Sequence, residues 1–241
     1  MYDIHCHILP GIDDGSGSLN DSIEMAKLAS ESGTEGIVAT PHCNIPRMYE
    51  NFYNNDFSER INTLNAALME QNIPVTVYPG QEVYAYGEVI PLMKSGKIIG
   101  LNKSRYVLTE FDFGAAENDV YPFVYKLLNE GYVPVVAHPE RCDYTRNNPD
   151  VIVNLKKMGA LIQLNAESII GRIGFYPKTV SRFVLENGFA DFVASDAHSQ
   201  YSRTPDLSEA HEFVCRFCSY DYADQIFSVN PFNAINNLEI R

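Results

Sequence analysis

The chain has 241 residues, 45% of them hydrophobic, and a formal net charge of −13. That length suits one large domain or two small ones with ample apolar material for a core, and the acidity argues against a broad nucleic-acid or anionic-membrane surface. No run of about 18 apolar residues can span a bilayer, the N-terminus lacks the regions of a signal peptide, and five irregularly spaced cysteines suit a reducing cytosol better than a disulfide framework.

Tyr2–His5 reads as a first strand running into His5-Cys6-His7. Residues two apart on a strand face the same side, so the two imidazoles converge as a metal site needs, and Cys6 alternates away. Asp13-Asp14-Gly15 follows. Ser18-x-x-Asp21 resembles a capping box, opening a helix with Ile23, Ala26 and Ala29 on one stripe and a stop at Gly33. A second strand, Gly36–Thr40, ends in Thr40-Pro41-His42. Arg47 and the aromatic-rich segment Met48–Tyr53 then read either as ordinary loop packing or as a lid over the strand ends.

Ile61, Leu64 and Leu68 form another helical stripe, followed by a strand at Val75–Tyr78 and the run Gly80-Gln81-Glu82. Tyr106–Glu110 is a strand ending in glutamate. Val120, Phe123, Val124, Leu127 and Leu128 form a stripe closed by Gly131, before a strand at Val133–Ala137 and the run His138-Pro139-Glu140-Arg141. Pro149 and Pro177 sit where a first helical turn tolerates proline, with Gly159 and Gly188 closing those helices. Strands at Ala160–Leu164 and Phe192–Ser195 complete the series, and the latter runs into Asp196-Ala197-His198 and Arg203. Beyond Leu207 only helical stripes around Phe213, Val214 and Phe217 are legible, with His211 on the surface.

Strands alternating with helices predict βαβ units and a parallel sheet, and near-continuously apolar strands predict a sheet covered by helices. In a closed or nearly closed barrel the strand C-termini share one rim, where such folds place their sites. Five of the six histidines, and acids able to join them, fall at those ends. Singly, His42 or His138 could be a core histidine, Asp196 a helix cap, Asp13-Asp14-Gly15 a turn, and Glu82 or Glu110 an arginine partner. Jointly these readings would have to hold at one strand end after another.

The donors are imidazole and carboxylate without a cysteine pair, which favours Mn²⁺, Fe²⁺ or Zn²⁺ over a structural thiolate zinc. They are too many for one ion, so two or three ions are expected, with one carboxylate bridging a pair roughly 3.5–4 Å apart. Arg141 and Arg203 follow such donors closely and could grip a phosphate through paired N–H groups, which points to phosphate-ester hydrolysis. A thiol mechanism needs Cys-x5-Arg, and none of the five cysteines has arginine at that spacing.

The segments Asp3–His7, Asp13-Asp14-Gly15, Thr40-Pro41-His42, Gly80-Gln81-Glu82, Ala137–Arg141 and Ser195–His198 closely resemble the PHP (polymerase and histidinol phosphatase) family of metallophosphoesterases. Glu110 at the fourth strand end, where histidinol phosphatases tend to carry histidine, makes them most similar to the bacterial manganese-dependent protein-tyrosine phosphatases of capsule and exopolysaccharide systems. The resemblance implies a single domain over 1–241 folded as a distorted (β/α)7 TIM-like barrel. It implies one metal on His5, His7, Glu82 and Asp196, a second on Glu82, Glu110 and His138, and a third on His42, His198 and Asp14, with Asp13 an open alternative to Asp14. Arg141 and, more loosely, Arg203 match phosphate-contacting arginines, and the Met48–Tyr53 loop would then meet a phosphotyrosyl ring. The implied reaction is attack on phosphorus by a metal-bridging hydroxide, with Mn²⁺ expected and Fe²⁺ or Zn²⁺ as alternatives. The implied partner is a phosphotyrosine protein, a bacterial tyrosine kinase of polysaccharide synthesis, with a cytoplasmic location, no nucleic acid and no membrane insertion. The competing readings are a small-molecule phosphatase such as a histidinol phosphatase, an amidohydrolase-type barrel and a metal-stabilised scaffold without turnover.

Overall fold

The computed structural model describes residues 1–240, the Asn147 side chain excepted. Its strands are β1 (Tyr2–Cys6), β2 (Gly36–Ala39), β3 (His42–Cys43), β4 (Thr76–Pro79), β5 (Glu82–Tyr84), β6 (Tyr106–Glu110), β7 (Val133–Val136), β8 (Leu161–Asn165) and β9 (Phe192–Ala194). All of their pairings are parallel, in the orders β1-β2-β4 and β3-β5-β6-β7-β8-β9. The seven strands expected from the sequence are present, within a residue or two of their expected ends. The short β3 and β5 were not anticipated. Each prolongs the strand before it past a break, at Thr40-Pro41 or at Gly80-Gln81, next to a proline that cannot donate to the ladder. Since β3 pairs with β5 as β2 pairs with β4, the two sheets are one surface.

That surface closes on itself. Asp196 N donates to His5 O at 2.8 Å and His7 N to Ala197 O at 2.9 Å, joining β1 to the segment after β9. Inside, Ile4, Val38, Leu108, Val135, Phe192 and Ala194 pack on one another. With a strand period of two, the residues two steps beyond such positions, Glu110 after Leu108 and Asp196 after Ala194, face the same interior at its upper rim. Outside, helices Leu19–Glu31 and Asn55–Glu70 cover one flank through Ile23, Ala26, Ile61 and Leu64. Helices Glu117–Asn129, Asp150–Met158, Phe175–Glu186 and Ser208–Phe217 cover the other. Their ends follow the expected caps. Ser18 Oγ accepts from Asp21 N at 3.2 Å, and Gly159 takes the left-handed conformation, φ 102°, that closes its helix.

The chain beyond Leu207 does more than its stripes indicated. Ala234 and Ile235 join the barrel's interior cluster, and Tyr106 Oη donates to Leu238 O at 2.6 Å, so the C-terminal segment plugs the end opposite the rim. His211, expected at the surface, is half-buried with its ring 5.2 Å from that of Phe227.

Candidate metal centre

Each strand end delivers its donors to one place. Glu82, at the start of β5, lies among four imidazoles. Its Oε1 is 3.0 Å from His138 Nε2 and 3.2 Å from His5 Nε2, and its Oε2 is 2.9 Å from His42 Nδ1 and 3.3 Å from His7 Nε2. Asp196 Oδ1 lies 3.4 Å from His5 and 3.5 Å from His7. Asp14 Oδ1 is 3.5 Å from both His42 Nε2 and His198 Nε2. Four overlapping donor groups result: His5/His7/Asp196, His5/Glu82/His138, His42/Glu82/Glu110 and His7/Asp14/His42/His198. All nine expected metal-binding residues therefore converge. Relative to the ligand sets implied by the resemblance, His42 also reaches Glu110, and His7 also reaches the outer group.

Hydrogen bonds set the imidazole tautomers. His5 Nδ1 donates to Gln163 Oε1 at 3.1 Å, His7 Nδ1 to Asp13 Oδ2 at 2.7 Å, and His198 Nδ1 to Asp196 O at 2.9 Å. In each the remaining Nε2 presents a lone pair, and those of His5 and His7 face each other at 3.3 Å. His42 Nδ1, Glu82 Oε2 and His138 Nδ1 are buried without a hydrogen-bond partner, because their close neighbours lie outside hydrogen-bonding geometry. Facing lone pairs and a buried carboxylate oxygen without a donor, Glu82 Oε2, are costly unless cations lie between them. The residues present fit a cluster of divalent ions, and their mixed nitrogen and oxygen donors suit Mn²⁺, Fe²⁺ or Zn²⁺.

The electrostatics agree. Burial opposes the charged form of Glu82, but His5, His138 and His42 outweigh it and hold the carboxyl well below its ordinary range. For Asp196 burial is likewise outweighed by His5, His7, His138 and Arg203. Glu110 goes the other way: burial and the Glu82 charge push its carboxyl up to about 8. His7 is raised well above its ordinary 6.5, burial being overcome by Asp13, Asp196 and Glu82. Groups raised on folding contribute stability that is present below their unfolded values and lost as pH rises through the folded ones. Glu110 and His7 thus act in the same sense above pH 6.5. The metal-free protein is expected to lose thermal stability as pH rises from 6.5 through about 8, while the gain on adding Mn²⁺ grows because binding releases those protons. Melting temperatures with chelator and with Mn²⁺ across that range check this, and a metal-free protein that stabilises with rising pH would contradict it.

The pair Asp13-Asp14, inseparable in the sequence, divides its work here. Asp13 accepts from His7 Nδ1, Gly15 N and His42 N, so it orients ligands from behind, while half-exposed Asp14 faces the donors. Gly15 backs this turn: a Cβ there would stand 2.2 Å from His7 O and 2.4 Å from His7 Cβ. Gly15→Ala should destabilise the fold by about 1–3 kcal/mol and displace His7, measurable as a lower melting temperature together with lost metal.

Several supporting residues went unread. Gln163 Oε1 also accepts from His138 N at 3.3 Å, and its Nε2 donates to Asn165 Oδ1 at 2.9 Å. Asn165 Nδ2 donates to Asp196 Oδ2 at 2.7 Å. Asp3, buried and pushed up to about 6 by its burial, accepts from Ser195 Oγ at 2.5 Å beneath the ligands. The available signal was in β8, whose end shows no ligand but which carries polar Gln163 and Asn165 on one face. Asn165→Ala should weaken metal affinity about 10–100-fold, read by titrating Mn²⁺ into the stripped protein.

Both expected arginines reach Asp196 Oδ2, Arg141 Nη1 at 2.9 Å and Arg203 Nη2 at 2.6 Å. They line, with Phe113 and the outer donors, a cavity of about 140 Å³ that does not include Arg47. His138, Asp196 and Arg203 hold left-handed conformations at φ 31°, 53° and 48°, strain that gathers at this rim. The Met48–Tyr53 loop is tied down, with Asn51 Nδ2 donating to Ile12 O and His42 O at 2.9 Å. Within it Tyr49 stacks on His42 at 5.7 Å. Cys6, Cys43 and Cys142 are buried, which pushes the latter two thiols up to about 12 and Cys6 well above its ordinary range, away from nucleophile chemistry.

Comparison with known proteins agrees with this geometry. The chain is 40% identical over 213 residues to tyrosine-protein phosphatase YwqE of Bacillus subtilis, covering 87% of this chain and 82% of that one. It superposes at a TM-score of 0.94 and 36% identity, over 100% of this chain and 96% of the other, on a crystal structure from work on YwqE of B. subtilis and CpsB of Streptococcus pneumoniae, described as unique metal-dependent tyrosine phosphatases. Histidinol phosphate phosphatase of Lactococcus lactis matches at a TM-score of 0.59 over 90% of this chain and 93% of that one, with 12% identity, a likeness of fold alone. The model of the family described as capsular polysaccharide synthesis, CpsB/CapC, matches residues 1–236, and the chain belongs to that family.

Proposed function

We propose that this protein is a metal-dependent protein-tyrosine phosphatase whose ions are held by His5, His7, Asp14, His42, Glu82, Glu110, His138, Asp196 and His198. The observation that carries the reading is the double use of Asp196: Oδ1 faces His5 and His7, while Oδ2 gathers Arg141 and Arg203. A phosphoryl group entering the cavity meets the ion-binding cluster and two guanidinium groups together. When bound, the ions supply Lewis acidity and a nucleophile available at neutral pH.

The chain's own residues do the rest. Arg141 and Arg203 turn from Asp196 onto the phosphoryl oxygens and balance charge that builds on them in the transition state. Asn165 keeps Asp196 in place while they do so. Asp14 is held below the usual carboxylate range, chiefly by His198, so it stays ionised and orients neighbours rather than donating a proton. A tyrosinate leaving group needs little proton help, since a phenol ionises near pH about 10, far below an alcohol. Aryl phosphates are thereby cleaved more readily than alkyl ones at a site without a dedicated proton donor. Membership of a capsular polysaccharide synthesis family supports a tyrosine kinase of that system as the protein substrate, with Mn²⁺ as the working ion and the cytoplasm as the place of action. No helix among the described residues is long and apolar enough to cross a membrane.

Turnover of a phosphotyrosine peptide, a phosphoserine peptide and histidinol phosphate, each with Mn²⁺ or with chelator, tests the proposal. Metal-dependent release of phosphate from phosphotyrosine alone is expected. Rapid turnover of histidinol phosphate with none of phosphotyrosine refutes the substrate, and chelator-insensitive turnover refutes the mechanism.

A further inference from the structure

The cavity at the rim is small, about 140 Å³, and is lined almost entirely by ionisable side chains. Ions held by these residues together with a phosphoryl group would fill that volume, so the group that carries the phosphate would lie at the mouth. Of the ten residues lining the cavity, nine are acidic, basic or imidazole, and Phe113 is the exception. Phe113 belongs to the segment that follows Glu110 at the end of β6. It leaves 44% of its surface exposed, although a large apolar side chain ordinarily finds cover.

Its position is built rather than loose. Asp112 Oδ1 accepts from Gly114 N at 2.8 Å, Ala115 N donates to Asp112 O at 2.9 Å, and Asp143 N donates to Phe113 O at 2.7 Å. One part of the ring is already used: the Arg141 guanidinium lies 4.6 Å from its centroid and the His138 ring 5.8 Å away. The remainder is open at the mouth, beside the arginine that faces the phosphoryl position.

We propose that Phe113 is the specificity-determining residue of this site, stacking against the aromatic ring of an aryl phosphate while Arg141 takes the phosphoryl group. The inference rests on the phosphatase reading above and names what selects the substrate class. An offset or edge-on aromatic contact is worth enough, together with the apolar area it covers, to favour an aryl over an alkyl ligand by about tenfold. Arg141 keeps its own anchor on Asp196 at 2.9 Å, so removing the ring leaves the phosphoryl contacts standing.

The test measures binding to the Mn²⁺-loaded protein of two non-hydrolysable probes, benzylphosphonate and methylphosphonate, by calorimetry. The wild-type protein is expected to prefer benzylphosphonate by about tenfold. Phe113→Ala and the bulk-preserving Phe113→Leu should each lose that preference while the methylphosphonate affinity stays within about threefold, and Phe113→Tyr should restore it. Metal content of each variant is counted alongside, and Phe113→Leu and Phe113→Tyr carry the comparison should the alanine variant release metal. A wild-type protein without aryl preference overturns the inference, as does an equal change for both probes in the variants. An aryl preference that depends on Phe113 in a protein unable to hydrolyse phosphotyrosine would instead refute the phosphatase reading and leave the inference standing.

Discussion

Glu82→Gln is expected to lower kcat/KM for a phosphotyrosine peptide by about 10³–10⁴, several kcal/mol of lost stabilisation. The change is nearly isosteric, so the loss comes from charge and donor type. Glu82 belongs to two of the four donor groups, and its oxygens stand 2.9–3.3 Å from His5, His7, His42 and His138. An amide there withdraws the one buried carboxylate that the two groups share. It also turns an N–H toward imidazole lone pairs that should face an ion. The same N–H can satisfy those nitrogens in the absence of metal, so the metal-free variant should fold, melting below the metal-free parent because the carboxylate's attraction to His5, His138 and His42 is gone. The two proteins should then differ in response: Mn²⁺ at about 100 times its dissociation constant stabilises the parent by about 2.7 kcal/mol and the variant by much less. Counting metal, melting with and without Mn²⁺, and measuring kcat/KM on one preparation separates these effects. A variant that loads its full metal complement and turns over normally would show that Glu82 is not a ligand.

The strands were legible because each is a short apolar run with turn chemistry on either side, and the rim was legible because donors stand two residues beyond buried positions. Glu110 follows Leu108, and Asp196 follows Ala194, on the inward parity of β6 and β9. The grouping of the ligands was not legible from spacing, and came from the resemblance to a family. Beside that grouping, the donor distances place His42 between two clusters, with Nδ1 near Glu82 and Nε2 near Asp14. The strands β3 and β5 escaped notice because two or three residues after a proline or glycine carry no periodicity. Asp13 and Asp14 could not be separated because a turn, rather than a repeat, sets where each side chain points. Gln163 and Asn165 were passed over for a related reason, since they bind no ion but hold the residues that do. The C-terminal plug depends on contacts between Tyr106 and Leu238, and Asn102 and Ile235, more than a hundred residues apart, which no local pattern encodes.

Arg141→Ala and Arg203→Ala should each reduce kcat/KM by about 10²–10³, the usual consequence of removing a preorganised donor from a developing oxyanion. The two losses should not add. Both guanidinium groups now rest on the same oxygen, Asp196 Oδ2, at 2.9 and 2.6 Å, so each limits where the other sits. Removing one relieves that crowding and frees Asp196 to hold the survivor more firmly, which makes the second arginine slower to turn onto the phosphate. A double-mutant cycle should therefore show coupling of about 0.5–3 kcal/mol. Lysine at position 141 should recover little, because a point charge cannot reproduce the paired N–H geometry or the face-on contact with Phe113 at 4.6 Å. Metal content is the control that gives the experiment its meaning. Asp196 keeps Oδ1 toward His5 and His7, and Asn165 keeps Oδ2 in place at 2.7 Å, so the single variants should stay fully metallated. Loss of activity with full metal loading assigns the arginines to the phosphoryl group. Loss of activity in step with loss of metal would instead make them supports of Asp196, and the phosphate would need another partner.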